Sequence, residues 1–202
     1  MYIVLEGVDG SGKDTQADLL VQGLGPRPLL RVNEPDSTSP TGKLLREMLK
    51  EGTYIEAHAA MFLADRMAML SEKVRPALAE GRDVVSVRSW MSTLVYQQET
   101  WPLDWLMDLH RQLPARATHL ILLDLDPEVA LGRATRRPGH NEFYEKLDIQ
   151  KRNRQRYLDL VPHAGHFLAP GGRVGVIDAN GEPKEVHIRL MEWIARFKED
   201  MA

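Results

Sequence analysis

Cysteine is absent from this sequence of 202 residues, which excludes disulfide bonds and thiolate chemistry and fits a cytoplasmic protein. A basic excess is missing as well, because 29 acids outnumber 26 lysines and arginines, so no overall field attracts nucleic acid. No apolar run approaches the roughly 20 residues that span a membrane. An apolar strand begins at residue 2, so we expect no signal peptide. The length suits a single domain with a sizeable core and a small mobile insertion.

The stretch GVDGSGKDT at residues 7–15 is the feature around which the rest of the chain is organised. It follows the apolar run YIVLE and precedes apolar residues at helical spacing, and strand, glycine loop and helix form the context in which a G-x4-G-K pattern cradles phosphates. The glycines let backbone N–H groups point inward, and Lys13 adds a mobile ammonium. The alternative is a simple glycine-rich turn. We predict a nucleotide site formed by Gly7, Gly10, Ser11, Gly12, Lys13, Asp14 and Thr15.

Five short apolar runs alternate with helical patterns along the chain. These predicted strands cover residues 2–6, 29–32, 83–87, 119–125 and 174–177. Apolar strands separated by helices are typical of a parallel sheet covered on both faces, so we predict an α/β fold of the P-loop NTPase type. Ligands bind at the carboxyl ends of such strands. The loops at 7–15, 34–40 and 88–97 should therefore converge on one site.

Helical boundaries can also be predicted from local signals. Apolar residues at helical spacing predict one long helix from 55 to 79, with a kink at Pro76. Thr41 is a candidate N-cap for the helix before it, and a later helix is expected from 102 to 113.

The segment 133–156 is basic although the whole chain is acidic, with eight lysines and arginines against three acids. Such a run is usually a solvated helix face. Here Pro138 and Gly139 divide it between two helices, which suits a mobile lid at about 133–147 that lowers arginines onto phosphates.

The order of these features resembles the thymidylate kinase family of P-loop nucleoside-monophosphate kinases. The similar segments are YIVLEGVDGSGKDTQ, NEP, MFLADR, EKVRPALAEG, VRSWMSTLVYQ, LILLDLDPEVALGRA and VIDANGE, and they cover nearly the whole chain. The resemblance implies a kinase that uses ATP and Mg²⁺ to phosphorylate a deoxynucleoside monophosphate, most readily dTMP. It also implies a homodimer that associates through long helices.

Phe62 and Arg66 are four residues apart on a helix and therefore share a face. A ring for stacking beside a guanidinium that only donates hydrogen bonds would suit a base with a carbonyl acceptor, such as thymine. The resemblance gives both residues that role. The alternative is a core phenylalanine and an ion-paired surface arginine.

The resemblance assigns further acceptor-binding residues. Arg88 would clamp the acceptor phosphate, Tyr96 would pack under the deoxyribose, and Asp9 would bind the 3′-hydroxyl. Glu34 and Ser92 lie in similar segments and are also expected to bind substrate. The alternatives are a salt bridge for Arg88, a core position for Tyr96 and a turn position for Asp9.

The lid arginines follow from the same resemblance. Family members whose phosphate loop lacks an arginine carry the catalytic arginine in the lid, and this loop has none. Arg136 or Arg137 is therefore the candidate, while Arg133 is expected to flank the adenine.

Four positions depart from the family pattern, and one of them is Ser89, where the family has an aromatic residue or a histidine. Asp14 replaces a hydroxyl that binds Mg²⁺, Val87 replaces an aspartate at the end of the third strand, and Asn33 replaces an arginine. Because the first two sites should lie close together, we predict that Asp14 supplies the missing carboxylate to the metal, directly or through water. The rival hypothesis is that both changes mark decay. A shifted acceptor nucleotide and a non-catalytic nucleotide binder therefore remain as alternative functions.

Overall fold

A computed structural model describes residues 1–23, 28–136 and 146–197. Within them a single parallel sheet has the strand order β2-β3-β1-β4-β5. The strands are β1 (Tyr2–Glu6), β2 (Leu29–Asn33), β3 (Asp83–Val87), β4 (His119–Asp124) and β5 (Arg173–Asp178). The predicted five-stranded parallel sheet is thus confirmed.

The central strand β1 is flanked on both sides, with Leu5 opposite Val87 of β3 and Ile121 of β4. Every residue of β1 and β3 is buried, which explains why these strands read as continuous apolar runs. Each fully buried large aliphatic side chain contributes on the order of 1.5–3 kcal/mol to stability. The centre of the sheet is therefore a rigid base for the loops that leave β1 and β3.

Helices cover both faces of the sheet. They are α1 (Lys13–Gly23), α2 (Pro40–Glu51), α3 (His58–Met69), α4 (Arg75–Ala79), α5 (Trp90–Tyr96), α6 (Leu103–Leu109), α7 (Pro127–Ala134), α8 (Leu147–Leu160) and α9 (Pro183–Ala195). In the described part of the chain, no helix is both long and apolar enough to cross a bilayer.

Three features of the helices differ from the predictions. Ser39, rather than Thr41, caps α2, because its hydroxyl accepts a hydrogen bond from the amide of Gly42 while Pro40 occupies the first turn. The helix predicted from 102 to 113 ends at Leu109.

The third difference concerns the long helix predicted from 55 to 79. It begins as a 3₁₀ turn at Ile55–Ala57 and widens to a π-helical turn at Leu70–Val74. The irregularity lies before Pro76 because proline has no N–H for the helical ladder and its ring crowds the preceding turn. The predicted kink is therefore a widened turn on its N-terminal side.

Candidate active site

The phosphate loop lies between β1 and α1 and requires its glycines. Gly7, Gly10 and Gly12 have φ angles of 144°, 86° and 90°, in the region that side chains rarely adopt. A Cβ on Gly10 would also lie 2.1 Å from the carbonyl oxygen of Ala130, so α7 packs directly on the loop backbone. The loop therefore has the glycine-dependent form expected of a phosphate cradle, rather than that of an ordinary turn.

Lys13 is folded inward over this loop. Its Nζ donates to the carbonyl oxygens of Gly7 and Val8, both at 2.8 Å, and the residue is only 5% exposed. Burial, and after it the positive charge of Arg88, lowers the pKa of Lys13 to about 7. The ammonium is thus held at the loop in a setting that anionic oxygens would stabilise.

Arg88 connects the third strand to the phosphate loop. Its Nη2 donates to Asp9 Oδ1, and its guanidinium carbon lies 5.2 Å from the centre of the Tyr96 ring. The Tyr96 hydroxyl donates to the other oxygen of Asp9 at 3.3 Å. The three residues that the resemblance assigns to the acceptor phosphate, deoxyribose and 3′-hydroxyl therefore form one cluster.

The backbone of Arg88 has a φ angle of 70°, which is unusual for a residue other than glycine. It is held there by a hydrogen bond from its amide to Leu5 at 2.9 Å and by one from the Ser86 hydroxyl to its carbonyl at 2.8 Å. Strain of this kind persists only where the surroundings fix it. Its effect here is to direct the guanidinium toward Asp9.

Arg66 and Glu34 form a buried ion pair beside this cluster. The guanidinium Nε lies 2.8 Å from Glu34 Oε2, and Nη2 donates to Thr93 at 3.0 Å. Burial raises the pKa of Glu34 to about 7, against the opposing influence of Arg66. Arg66 is only 1% exposed. The alternative of an arginine that is ion-paired at the surface is therefore wrong, because the ion pair is buried.

A cavity of about 140 Å³ opens where the three loops meet, as predicted. It is lined by Asp9, Glu34, Pro35, Leu49, Phe62, Arg66, Arg88, Ser89, Ser92, Tyr96 and Gln97. We call it the acceptor cavity. All seven residues predicted to bind the acceptor line it, and Phe62 is half-buried there rather than part of the core.

A second cavity, of about 210 Å³, lies on the other side of the phosphate loop and is called the donor cavity. Gly10, Ser11, Gly12 and Thr15 line it together with Arg133. The Arg133 guanidinium donates to the carbonyl oxygens of Ala179, at 3.2 Å, and Gly181, at 2.9 Å. Arg133 is thus fixed on the wall of a cavity that begins at the phosphate loop.

Asp14, the predicted metal ligand, contacts the end of β2. Its Oδ1 accepts hydrogen bonds from Arg31 Nη2 at 2.6 Å and from Asn33 Nδ2 at 3.1 Å. Asn33 is paired in register with Val87, the residue that stands where the resemblance implies an aspartate. Through its contact with Asn33, Asp14 therefore reaches the strand ends at which that aspartate is missing. Within the described residues, its Oδ2 accepts no hydrogen bond.

Of the two lid arginines predicted to be catalytic, Arg136 and Arg137, the structure describes only Arg136. Arg136 is exposed and lies just after α7. Arg137 and most of the lid predicted at about 133–147 fall outside the described residues.

Three residues of the site were missed by sequence reasoning. Glu6 is completely buried beside Ser92, Thr93 accepts from Arg66, and Arg31 binds Asp14. Only Glu6 gave a signal in the sequence, because it is a carboxylate at the end of an otherwise apolar strand. Thr93 and Arg31 become visible only when the elements pack.

Comparisons with known proteins agree with this arrangement. The sequence model of the thymidylate kinase family matches residues 5–189. The "Probable thymidylate kinase" of Thermococcus kodakarensis is 36% identical over 80% of this chain and 84% of its own, and the thymidylate kinase of Symbiobacterium thermophilum is 35% identical over 92% and 88%. The solved thymidylate kinase of Candida albicans superposes with a TM-score of 0.80 at 26% identity, covering 98% of this chain and 92% of its own.

Proposed function

This chain belongs to the thymidylate kinase family of nucleoside-monophosphate kinases, and on that premise we propose that it transfers the γ-phosphoryl group of ATP to dTMP. The observation that carries the proposal is the pair of cavities that flank the phosphate loop. Consecutive residues of the loop separate them, since Asp9 lines the acceptor cavity and Gly10 lines the donor cavity. Two nucleotides bound on either side would bring their phosphates together at Lys13.

Phosphoryl transfer requires positioning and charge stabilisation more than covalent help from the protein. Lys13 would stabilise the charge on the transferring group, and Arg88 would exchange Asp9 for the acceptor phosphate. Arg136 or Arg137 would add a cation from the lid. The loop glycines and Arg133 would hold the donor nucleotide.

Base recognition is assigned to Arg66 and Phe62. In the described part of the chain, Arg66 Nη1 is buried without a hydrogen-bond partner. An unsatisfied buried donor costs about 1–3 kcal/mol, which a pyrimidine carbonyl would recover. Phe62 lies on the same cavity wall and offers a ring for stacking.

The family implies Mg²⁺, and Asp14 fits a role in holding it. No cluster of three or more potential protein ligands occurs among the described residues, but Mg²⁺ commonly uses one or two carboxylates, phosphate oxygens and water. Asp14 keeps Oδ2 unbonded while Arg31 and Asn33 orient Oδ1, and ligand carboxylates are often oriented in this way. Mg²⁺ would offset the negative charge of the donor phosphates.

A coupled assay of ADP release across the deoxynucleoside monophosphates, with ATP and Mg²⁺, tests the proposal. We expect the highest kcat/KM for dTMP. Faster turnover of another monophosphate would indicate a shifted acceptor. Nucleotide binding without turnover of any acceptor would overturn the assignment as a kinase.

Base preference should change when the planar guanidinium of Arg66 is replaced by a group that has the same charge but a different shape. Arg66→Lys retains a cation near Glu34. A lysine, however, cannot bind Glu34 with two N–H groups and also donate to Thr93 as the guanidinium does. We expect the dTMP preference over dCMP to fall about tenfold, which corresponds to one good hydrogen bond to a charged group. Competition assays with both monophosphates measure this ratio, and an unchanged ratio would remove Arg66 from base recognition.

Replacement of Asp14 should alter the metal requirement. If Asp14 holds Mg²⁺, Asp14→Ala should need more Mg²⁺ for half-maximal rate and should bind Mn²⁺·ADP more weakly by electron paramagnetic resonance. Asp18→Ala is the matched control, since Asp18 also pairs with Arg31 but is one turn farther from the phosphate loop. A variant that binds Mg·ATP more tightly and turns over no more slowly would show that Asp14 only repels the phosphates.

We also propose that the protein is a cytoplasmic homodimer. Exposed apolar side chains on and beside α2 and α3 support self-association, namely Leu44, Tyr54, Ile55 and Met67. Light scattering coupled to size exclusion should give twice the chain mass of 22.9 kDa. A monomer at micromolar concentration would contradict this assembly.

A further inference from the structure

Glu6 is a completely buried carboxylate that forms no ion pair within the described part of the chain. It is held instead by three hydrogen bonds. The amide of Ser92 donates to Oε1 at 3.2 Å, while the Ser92 hydroxyl, at 2.6 Å, and the Tyr157 hydroxyl, at 3.2 Å, donate to Oε2. Burying a carboxylate in this way is expensive, so its presence calls for a role.

The position of Glu6 connects separate parts of the site. Its backbone directly precedes the phosphate loop, Ser92 lies in the first turn of α5 on the acceptor cavity, and Tyr157 lies on α8. One carboxylate therefore ties three elements together beneath the two cavities.

The contact with Ser92 extends to Arg88. Ser92 Oγ accepts a hydrogen bond from Arg88 Nη1 at 3.1 Å while it donates to Glu6. A hydroxyl has one hydrogen and two lone pairs, so a carboxylate that takes the hydrogen leaves a lone pair for the guanidinium. The other end of the guanidinium, Nη2, is bound by Asp9.

We propose that Glu6 is a positioning residue that orients the Arg88 guanidinium toward the acceptor phosphate through the Ser92 hydroxyl. The inference rests on the proposed function, because Arg88 has a phosphate to clamp only if the acceptor is a nucleotide. Burial raises the pKa of Glu6, whereas the hydrogen bonds from Ser92 and the nearby cations of Arg88 and Lys13 oppose that rise and favour the carboxylate. Glu6 itself touches neither nucleotide and acts only through these neighbours.

The test compares the KM values for the two nucleotides in Glu6→Gln. This variant keeps the size of the side chain but offers a donor in place of one carboxylate oxygen, so the Ser92 hydroxyl loses its fixed direction. We expect the KM for dTMP to rise about tenfold or more, as for loss of a hydrogen bond to a charged group, while the KM for ATP changes less than about threefold. Ser92→Ala should give the same pattern, and the double variant should be no worse than either single one.

Asp83→Asn is the matched control. Asp83 is also a buried carboxylate, but it pairs with the N-terminal ammonium at 2.6 Å and begins β3 at the opposite end of the sheet. This variant should lower the melting temperature and leave the KM for dTMP unchanged. A similar rise in that KM would mean that loss of any buried charge disturbs the site, and would overturn the specific role.

The remaining outcomes are also decisive. An unchanged KM for dTMP in folded Glu6→Gln, or effects of Glu6→Gln and Ser92→Ala that multiply independently, would overturn the inference and leave the kinase assignment intact. If Glu6→Gln does not fold, Glu6→Asp, which keeps the charge but withdraws the carboxylate from the Ser92 hydroxyl, decides by the same KM comparison. A wild-type protein without turnover of any acceptor would overturn the proposed function and this inference with it.

Discussion

Lys13→Ala should lose at least about a hundredfold in kcat, the scale expected when one preorganised charge is removed from a transition state. The ammonium is held over the phosphate loop by two backbone carbonyls, so it is in position before any nucleotide binds. ATP affinity should fall less than turnover, because the loop amides would still be available to bind the phosphates. Steady-state kinetics together with calorimetric titration of ATP separates the two effects.

A surface lysine provides the control for this variant. Lys50→Ala removes an equal charge from an exposed position near the end of α2 and should leave kcat unchanged. Full activity of Lys13→Ala would show that the loop does not act on the transferring phosphoryl group.

Glu34→Ala should be the most destabilising of the proposed changes, by about 3–5 kcal/mol in the free energy of unfolding. The substitution leaves the Arg66 guanidinium buried and uncompensated, since Glu34 and Arg66 side chains are only 3% and 1% exposed. Denaturant titration of the purified variants measures the change in the midpoint and slope.

An exposed ion pair provides the control for the contribution of burial to this loss of stability. Asp108 and Arg111 are 2.7 Å apart but 64% and 71% exposed, so Asp108→Ala should cost less than about 1 kcal/mol. Equal destabilisation by Asp108→Ala and Glu34→Ala would contradict the importance of burial at Glu34.

The sequence predicted the sheet because its signals are local. The apolar runs of β1, β3 and β4 are visible residue by residue, and the glycine loop requires a strand before it and a helix after it. The convergence of the three loops followed from strand direction alone, since parallel strands end at the same edge.

Helix boundaries and side-chain partners could not be predicted in the same way. The hydroxyl of the cap residue Ser39 also donates to Asp65 at 2.6 Å, and Asp65 lies on a helix 26 residues away in sequence. Arg31 likewise reaches Asp14 only because β2 lies beside β3 and α1. Such pairings depend on packing between elements, which no local pattern encodes.

Only part of the surroundings of Arg66 could be predicted from the sequence. Helical spacing placed Phe62 and Arg66 on one face, and both line the acceptor cavity. The sequence offered no way to know that Glu34 would bind the arginine from a loop 32 residues away. Long-range ion pairs of this kind require the topology first.

The left-handed backbone at Arg88 has a consequence for how this protein can evolve. A side chain at such a φ angle costs about 1–2 kcal/mol, a penalty that glycine avoids. Arg88→Gly should therefore unfold at a higher denaturant concentration than Arg88→Ala, although both lose the guanidinium. Where only the backbone penalty matters, glycine is favoured over alanine at this position, whereas the proposed clamp on the acceptor phosphate would require arginine. If that clamp exists, a library screened only for heat tolerance should lose it more readily than a library screened for activity.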